Sequence, residues 1–291
     1  MKFDKNTKIL IVGLGLIGGS YAKALSDNGY FVGAIDKKKS SVEYALKNGL
    51  IQVGETSVKN DFVKDFDLIV FALYPHDFIN WIKEYQSSIK SGALITDVTG
   101  VKTFVVENVQ KILRGDLEFV GAHPMAGKEV SGVENADPEI FVGANYIVTP
   151  TKKNTDENVQ AVKDLGRALG FERISSLSPE EHDETVGFLS HLTHCIAVSL
   201  MVSKKSHHLA EYTGDSFRDL TRIAKINDEM WSELFLANKD ELLKQMELFE
   251  EKFNQLKEDI KNDNREKIRE TLRESTARRK VFDKDAKETK K

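Results

Sequence analysis

At 291 residues the chain is long enough for two domains of ordinary size, and 40% hydrophobic content is that of a soluble globular protein. A net charge of −4, with acidic and basic residues interspersed, excludes the broad cationic field that non-specific nucleic-acid binding requires, so a small-molecule partner is expected. The single cysteine, Cys195, forms no internal disulfide, which fits a reducing compartment and a cytoplasmic location. Lys2, Lys5 and Lys8 ahead of an apolar run imitate a signal peptide, but the run is glycine-patterned and lacks a clear small-residue cleavage site. No apolar stretch reads as long enough to span a bilayer, so no membrane partner is expected.

The first element, ILIVGLGLIGGS at Ile9 to Ser20, reads as a strand, a tight turn and a helix start. Gly13, Gly15 and Gly18 stand in GxGxxG spacing. Gly13 serves the turn, Gly15 the approach of backbone to a pyrophosphate, and Gly18 the close packing of helix on strand. Leu16 and Ile17 then open the helix, where unpaired N–H groups bind phosphate. A second apolar run, Tyr30 to Ile35, ends at Asp36, 18 residues past Gly18, where the fingerprint places a carboxylate for the ribose hydroxyls. Together these predict a dinucleotide site.

Further along, Ser40 to Asn48 reads as a helix closed by Gly49, and Asp67 to Leu73 as a strand covered on both faces. His76 to Ile89 reads as a helix and Ala93 to Thr96 as a strand. Glu118 to Ala122 and Asn145 to Thr149 are short strand candidates, and Asp156 to Leu169 is a helix stopped by Gly170. The alternation predicts a doubly wound α/β fold with a parallel sheet, ending near residue 173. From Ser178-Pro179 a long helix runs to about Lys205, followed by a glycine-containing loop, Tyr212 to Arg222, and more helix. The expected division is therefore 1–173, dinucleotide-binding, and 174–291, helical. The charged tail from Asp283 is expected to fray, and there is no internal repeat.

Three clusters are more polar than folding requires: Thr96 to Lys102 (TDVTGVK), Ala122 to Glu134 (AHPMAGKEVSGVE), and Ser190 to His194 with Arg222. Asp97 to Gly100 and His123-Pro124 directly follow predicted strands, where open α/β sheets bind ligands. The plainer reading makes His123 a strand-end cap and Asp97 an ordinary turn residue. On the long helix, Gly187, Ser190, His191, His194 and Val198 share one face by spacing, and Leu189, Leu192, Ile196 and Leu200 another. A metal at His191 and His194 lacks further ligands, and His207-His208 have no Cys or carboxylate pattern beside them. Structural histidines remain the alternative for either one.

In this order and spacing, the glycine motif, TDVTGVK, HPMAGKEVSGVE, SHLTH and FRDLTRIA resemble the prephenate dehydrogenase family over nearly the whole chain. The resemblance implies a Rossmann domain followed by a helical dimerisation domain, and oxidative decarboxylation of prephenate to 4-hydroxyphenylpyruvate in tyrosine biosynthesis. It implies that His123 is the catalytic histidine on the substrate hydroxyl, that His194 and Ser190 face the substrate, that Arg222 binds a carboxylate, and that Trp231 lies near the site. It also implies a homodimer with its active site close to the interface. Many members carry serine at the position of Gly100, and Thr99 is the candidate to supply that hydroxyl one position earlier. At this length, no added mutase or regulatory domain of the kind some members carry is expected.

The chemistry suits these residue types. Hydride removal from a carbinol carbon needs a base near neutral pKa, and a guanidinium matches a carboxylate in a bidentate way. NAD is the expected cofactor, with Gly13, Gly15, Leu16, Ile17, Gly18, Asp36 and Asp97 around it and no metal. Lys37, Lys38 and Lys39 weaken the preference over NADP. Rival readings are arogenate dehydrogenase, a β-hydroxyacid or imino-acid reductase, and a non-enzymatic NAD sensor, which would need neither His123 nor Arg222. Spacing also predicts a narrow apolar helix seam at Leu242, Met246, Phe249, Phe253, Leu256 and Ile260. By spacing alone the seam serves either its own chain's first long helix or a second subunit, and the resemblance favours the subunit.

Overall fold

The computed structural model describes residues 1–205 and 208–282. His207 and the tail from Asp283 lie outside the described residues. The chain divides into two compact units, Met1–Glu241 and Leu242–Lys291.

In the first unit, β1 (Lys8–Val12), β2 (Phe31–Ile35), β3 (Val53–Glu55), β4 (Leu68–Phe71), β5 (Leu94–Asp97) and β6 (Glu118–Phe119) form one parallel sheet. Their order is β3-β2-β1-β4-β5-β6. Ile9 and Ile11 enter one core with Leu68 and Val70, while Leu10 and Val12 enter the other with Ile69 and Phe71. Burial on both faces is why these strands read as unbroken apolar runs. Strand order reverses between β1 and β4, so the loops after β1, β2, β4 and β5 border the crevice where such sheets bind ligands.

The predicted strand Glu118 to Ala122 is in fact two. Val120 N–H still reaches Ile95 O on β5 at 3.0 Å, but the Ala122 N–H donates to the Asp97 carboxylate instead of a strand carbonyl. From there β7 (Gly121–Pro124) enters a second sheet with β8 (Asn145–Thr149) and β9 (Arg173–Ser176). β7 runs antiparallel to β8 and β8 parallel to β9, so the parallel sheet predicted from the alternation is present with six strands, and Asn145 to Thr149 belongs instead to a second, mixed sheet. Sequence reading passed over β3, β9 and the helix Thr103–Ile112.

Ser178 opens the long helix with a capping box: its hydroxyl accepts from Glu181 N–H at 3.1 Å, and Glu181 accepts from Ser178 N–H at 2.8 Å. The helix runs Pro179–Val202, not to Lys205, and between Gly187 and Leu192 it widens into a π-helical turn. The predicted faces shift accordingly. His182, Gly187 and Leu192 are buried at five-residue steps, as are Val186 and His191, while Leu189 is exposed and so parted from Leu192. By length and composition this helix could cross a bilayer, which corrects the expectation that no stretch is long enough. Its buried His182, Asp183 and His191 are hydrogen-bonded within the protein, whereas Phe188, Leu189, Met201 and Val202 are exposed. The loop expected at Tyr212 to Arg222 contains a short helix, Asp215–Thr221, ahead of the helix Asp228–Ala237.

The second unit takes up most of the helix Lys239–Lys261 and the helix Arg265–Arg279. The turn between them holds Asp263 at φ +50°, and Asn264 caps the second helix through Lys267 N–H. Of the predicted seam, Leu242 is buried, Met246 and Leu256 are half-buried, and Phe249, Phe253 and Ile260 are exposed. The Phe249 and Phe253 rings stack 5.9 Å apart.

Candidate functional site

At the glycine turn, Gly13 and Gly18 stand where a side chain has no room. Gly13 sits at φ +100°, and a Cβ there would lie 2.4 Å from Ala72 O; a Cβ on Gly18 would lie 1.9 Å from Gly13 O. A Cβ on Gly15 meets nothing within 4 Å. Gly15 also caps the helix Leu16–Asp27 without any side-chain hydrogen bond, which leaves open space in front of a helix N-terminus. Leu16 is buried and Ile17 half-buried against the core, so both offer backbone rather than side chain to that space. The Asp36 carboxylate accepts from Leu14 N–H at 2.6 Å and from Lys38 N–H at 2.7 Å, so it is held against the turn. Turn, helix end and carboxylate fit a dinucleotide, whose pyrophosphate the Gly15 turn and whose ribose Asp36 would hold.

Asp97 is placed differently from expectation. It is fully buried, with one oxygen accepting from Ala122 N–H at 3.0 Å and the other from Lys102 Nζ at 2.6 Å and from Thr99. Its carboxylate is therefore a tie between β5, β7 and the loop between, not a group presented to cofactor. Thr99 is corrected likewise. Its hydroxyl lies within this network, reaching Asp97, Val101 O and Lys102, and its side chain is buried. Burial lowers the Lys102 pKa and the Asp97 charge opposes that shift.

The loop above the tie brings Gly100 to His123: a Cβ on Gly100 would stand 3.7 Å from His123 Nε2 and 3.6 Å from Leu234. Chain departure and geometry coincide here, since no hydroxyl of this loop faces that nitrogen. His123, half-buried on β7, has its Nδ1 2.8 Å from His182 Nε2, and His182 Nδ1 is 2.8 Å from Asp183 Oδ1. A carboxylate only accepts, so His182 carries its proton on Nδ1, its Nε2 accepts from His123 Nδ1–H, and His123 Nε2 is left as a lone pair. Burial, reinforced by the charge of Lys102 and by His182, holds the His123 pKa well below 6.5. The ring is neutral at physiological pH.

Asp183 also receives the Lys102 and Thr103 N–H groups, each at 2.8 Å, capping the helix Thr103–Ile112. Burial pushes its carboxyl upward, but His182 and these N–H donors outweigh that and hold it below the usual range. His182 and Asp183 were missed in the sequence because PEEHDET reads as an ordinary acidic first turn.

His194 stacks on Trp231 with ring centroids 3.7 Å apart, and its Nδ1 bonds Ser190 O at 2.8 Å. Ser190 thus orients His194 through its carbonyl. His191 is buried, with its Nδ1 3.3 Å from Asn238 Nδ2 and its pKa pushed down to about 4 by burial. Arg222 forms an ion pair with Glu129, and both charges bear on His194. The structure therefore brings His194, Ser190, Trp231 and Arg222 together, and pairs the guanidinium with Glu129, a residue of the AHPMAGKEVSGVE cluster to which sequence reading gave no role.

Residues 21–173 match the family model described as prephenate dehydrogenase, nucleotide-binding domain, and residues 178–274 match prephenate dehydrogenase, dimerization domain. The prephenate dehydrogenase of Bacillus subtilis is 36% identical over 245 residues, which cover 81% of this chain and 65% of that protein. The chain thus spans just under two thirds of that relative's length. The crystal structure of prephenate dehydrogenase from A. aeolicus, in complex with hydroxyphenyl propionate and NAD+, superposes with a TM-score of 0.87 at 35% identity, covering 95% of this chain and 98% of that one. Synechocystis arogenate dehydrogenase superposes with a TM-score of 0.82 at 25% identity, covering 95% of this chain and 100% of that one.

Proposed function

The chain belongs to the prephenate dehydrogenase family, and we propose that it catalyses the NAD-dependent oxidative decarboxylation of prephenate to 4-hydroxyphenylpyruvate, as a cytoplasmic homodimer. The observation that carries this reading is the chain Asp183–His182–His123, which leaves a neutral imidazole lone pair beside Gly100 at the carboxyl edge of the sheet. His123 Nε2 takes the proton of the ring hydroxyl as the carbon–hydrogen bond breaks. The positive charge is then shared between His123 and His182 and countered by the Asp183 carboxylate. When bound, the nicotinamide serves as hydride acceptor. The Gly15 turn and Asp36 hold the dinucleotide, and loss of carbon dioxide aromatises the substrate ring.

Arg222 binds a substrate carboxylate in exchange for Glu129, and His194, held by Ser190 and Trp231, faces the same substrate. A boundary near residue 173, with the dinucleotide site before it and the dimer contacts after it, is supported by a nucleotide-binding family model that ends at 173 and a dimerization model that begins at 178, and the substrate meets residues of both parts. The exposed Phe249 and Phe253 are apolar surface of the kind a second subunit covers. Steady-state assays with prephenate and arogenate, each with NAD and NADP, test the reading. Turnover of prephenate with NAD is expected; turnover of arogenate alone moves the assignment to that substrate.

A further inference from the structure

The loop that follows β4 stands between the cofactor turn and the helix that carries Trp231. On one side, Ala72 and Leu73 press on Gly13, whose Cβ position lies 2.4 Å from Ala72 O and 3.0 Å from Leu73 Cδ2. On the other, Tyr74 and His76 bond the N-cap Asn227 and Glu233 of the helix Asp228–Ala237. His76 N–H donates to Glu233 Oε1 at 2.6 Å, and His76 Nδ1 lies 2.5 Å from the same oxygen. Asn227 Nδ2 donates to Tyr74 Oη at 3.1 Å while Asn227 Oδ1 caps its own helix through Met230 N–H at 3.0 Å.

Each bond sits at a helix start. His76 is the second residue of the helix Pro75–Tyr85, so its N–H has no partner within that helix, and Glu233 of the helix Asp228–Ala237 supplies one. Glu233 is itself mostly buried, at 16% side-chain exposure. Two residues before it, Trp231 stacks on His194; one after it, Leu234 packs where Gly100 meets His123.

We propose that Glu233 is a positioning residue: with Asn227 it latches the Trp231 helix to the loop Tyr74–His76, so that filling the cofactor turn sets the position of Trp231 and His194. The inference rests on the reading of His194 as a substrate-facing group. Glu233 touches no reacting atom. It carries to the substrate side any displacement that the glycine turn imposes on Ala72 and Leu73.

The chain has two tryptophans, and Trp81 is buried in the core, so a Trp81→Phe background reports Trp231 alone. In that background NAD is expected to shift Trp231 emission, Glu233→Ala to abolish the shift, and Glu233→Gln, which keeps the acceptor oxygen, to restore it. In kinetics Glu233→Ala should raise KM for prephenate between about tenfold and a hundredfold, with the dissociation constant of NAD unchanged. Tyr74→Phe removes one bond without touching the core and should weaken the shift, which guards against a Glu233→Ala protein that folds badly. A NAD shift of equal size in Glu233→Ala, or no shift in the parent, overturns the latch, as does a Glu233→Gln protein that behaves like Glu233→Ala. The fluorescence arm needs NAD only, so an intact, Glu233-dependent shift in a protein inactive on prephenate would sink the proposed substrate and leave the latch standing.

Discussion

His182 Nε2 lies 2.8 Å from His123 Nδ1, and that one contact determines which nitrogen of His123 is free to act as a base. Because Asp183 accepts from the other nitrogen of His182, the pair has a single tautomer pattern with both rings neutral. His182→Leu removes the acceptor and should lower kcat by roughly tenfold to a hundredfold, whereas His123→Asn should cost about 10² to 10⁴-fold. Neither should change NAD affinity. A His182→Leu enzyme with unaltered kcat would show that the contact does not set the tautomer.

The pH dependence follows from the same burial. His123, His182, His191 and His194 all have folded pKa values below 6.5, in each case with burial as the largest cause. The unfolded chain therefore binds more protons below about pH 6.5, so the stability these groups allow is present above that pH and is lost as pH falls. For His191 the loss continues down to about 4. Melting temperature should drop steadily over this window, and His191→Gln should flatten the drop. Activity should keep its plateau to below pH 6.5; an acid limb centred above 6.5 would contradict a neutral His123.

Gly100 and Thr99 give opposite expectations. A Cβ on Gly100 finds ordinary van der Waals distances, so Gly100→Ser should fold normally and, with a hydroxyl near His123 Nε2, keep or raise kcat. Thr99→Val takes a hydroxyl away from the buried Asp97 and Lys102 and should cost about 1 to 3 kcal/mol of stability while leaving KM for prephenate unchanged. Thermal denaturation beside steady-state kinetics separates the two; a catalytic loss in a fully stable Thr99→Val protein would return Thr99 to the substrate.

Arg222 is held by Glu129 before any substrate arrives, so the two should move KM in opposite directions. Arg222→Ala is expected to raise KM for prephenate at least about tenfold, or ~1.4 kcal/mol, with a smaller effect on kcat. Glu129→Gln frees the guanidinium and should lower KM. Equal increases in both variants would mean that the ion pair, not Arg222 alone, forms the substrate site.

Asp36 is locked to the glycine turn by Leu14 N–H and Lys38 N–H, so it cannot swing aside for a 2′-phosphate. Asp36→Ala should weaken NAD binding and loosen the turn, and Lys37 and Lys38, both exposed, should not by themselves confer NADP preference. Competitive titration of the two cofactors reads this directly. Comparable affinity for both in the parent chain would assign the choice to the lysines.

Phe249→Asp with Phe253→Asp places charge on exposed apolar rings of one helix. Sedimentation should fall from dimer toward monomer mass, with activity falling alongside. An active wild-type monomer at micromolar concentration would refute the homodimer.

Local chemistry was enough to determine the nucleotide half of this protein from sequence. A glycine at φ +100°, another with a backbone oxygen 1.9 Å from its Cβ position, and apolar strands buried on both faces each leave a mark at fixed spacing, because the constraint lies within a few residues. The resemblance placed His123, His194 and Arg222 in roles that spacing alone could not assign. What only the tertiary structure decided concerns partners far apart in the chain. Asp183 meets Lys102 and Thr103, Glu129 meets Arg222, and Glu233 meets His76, and none of these pairs has a periodicity to read. Asp97 and Thr99 illustrate the converse. Their residue types and their place after a strand suit a ligand site, but whether a carboxylate faces a crevice or a buried lysine depends on which strand packs above it. The π-helical turn at Gly187–Leu192 is of the same kind: one widened turn shifts the side chains beyond it, so that His182, Gly187 and Leu192 are buried at five-residue steps in place of the three- and four-residue steps that the sequence pattern describes.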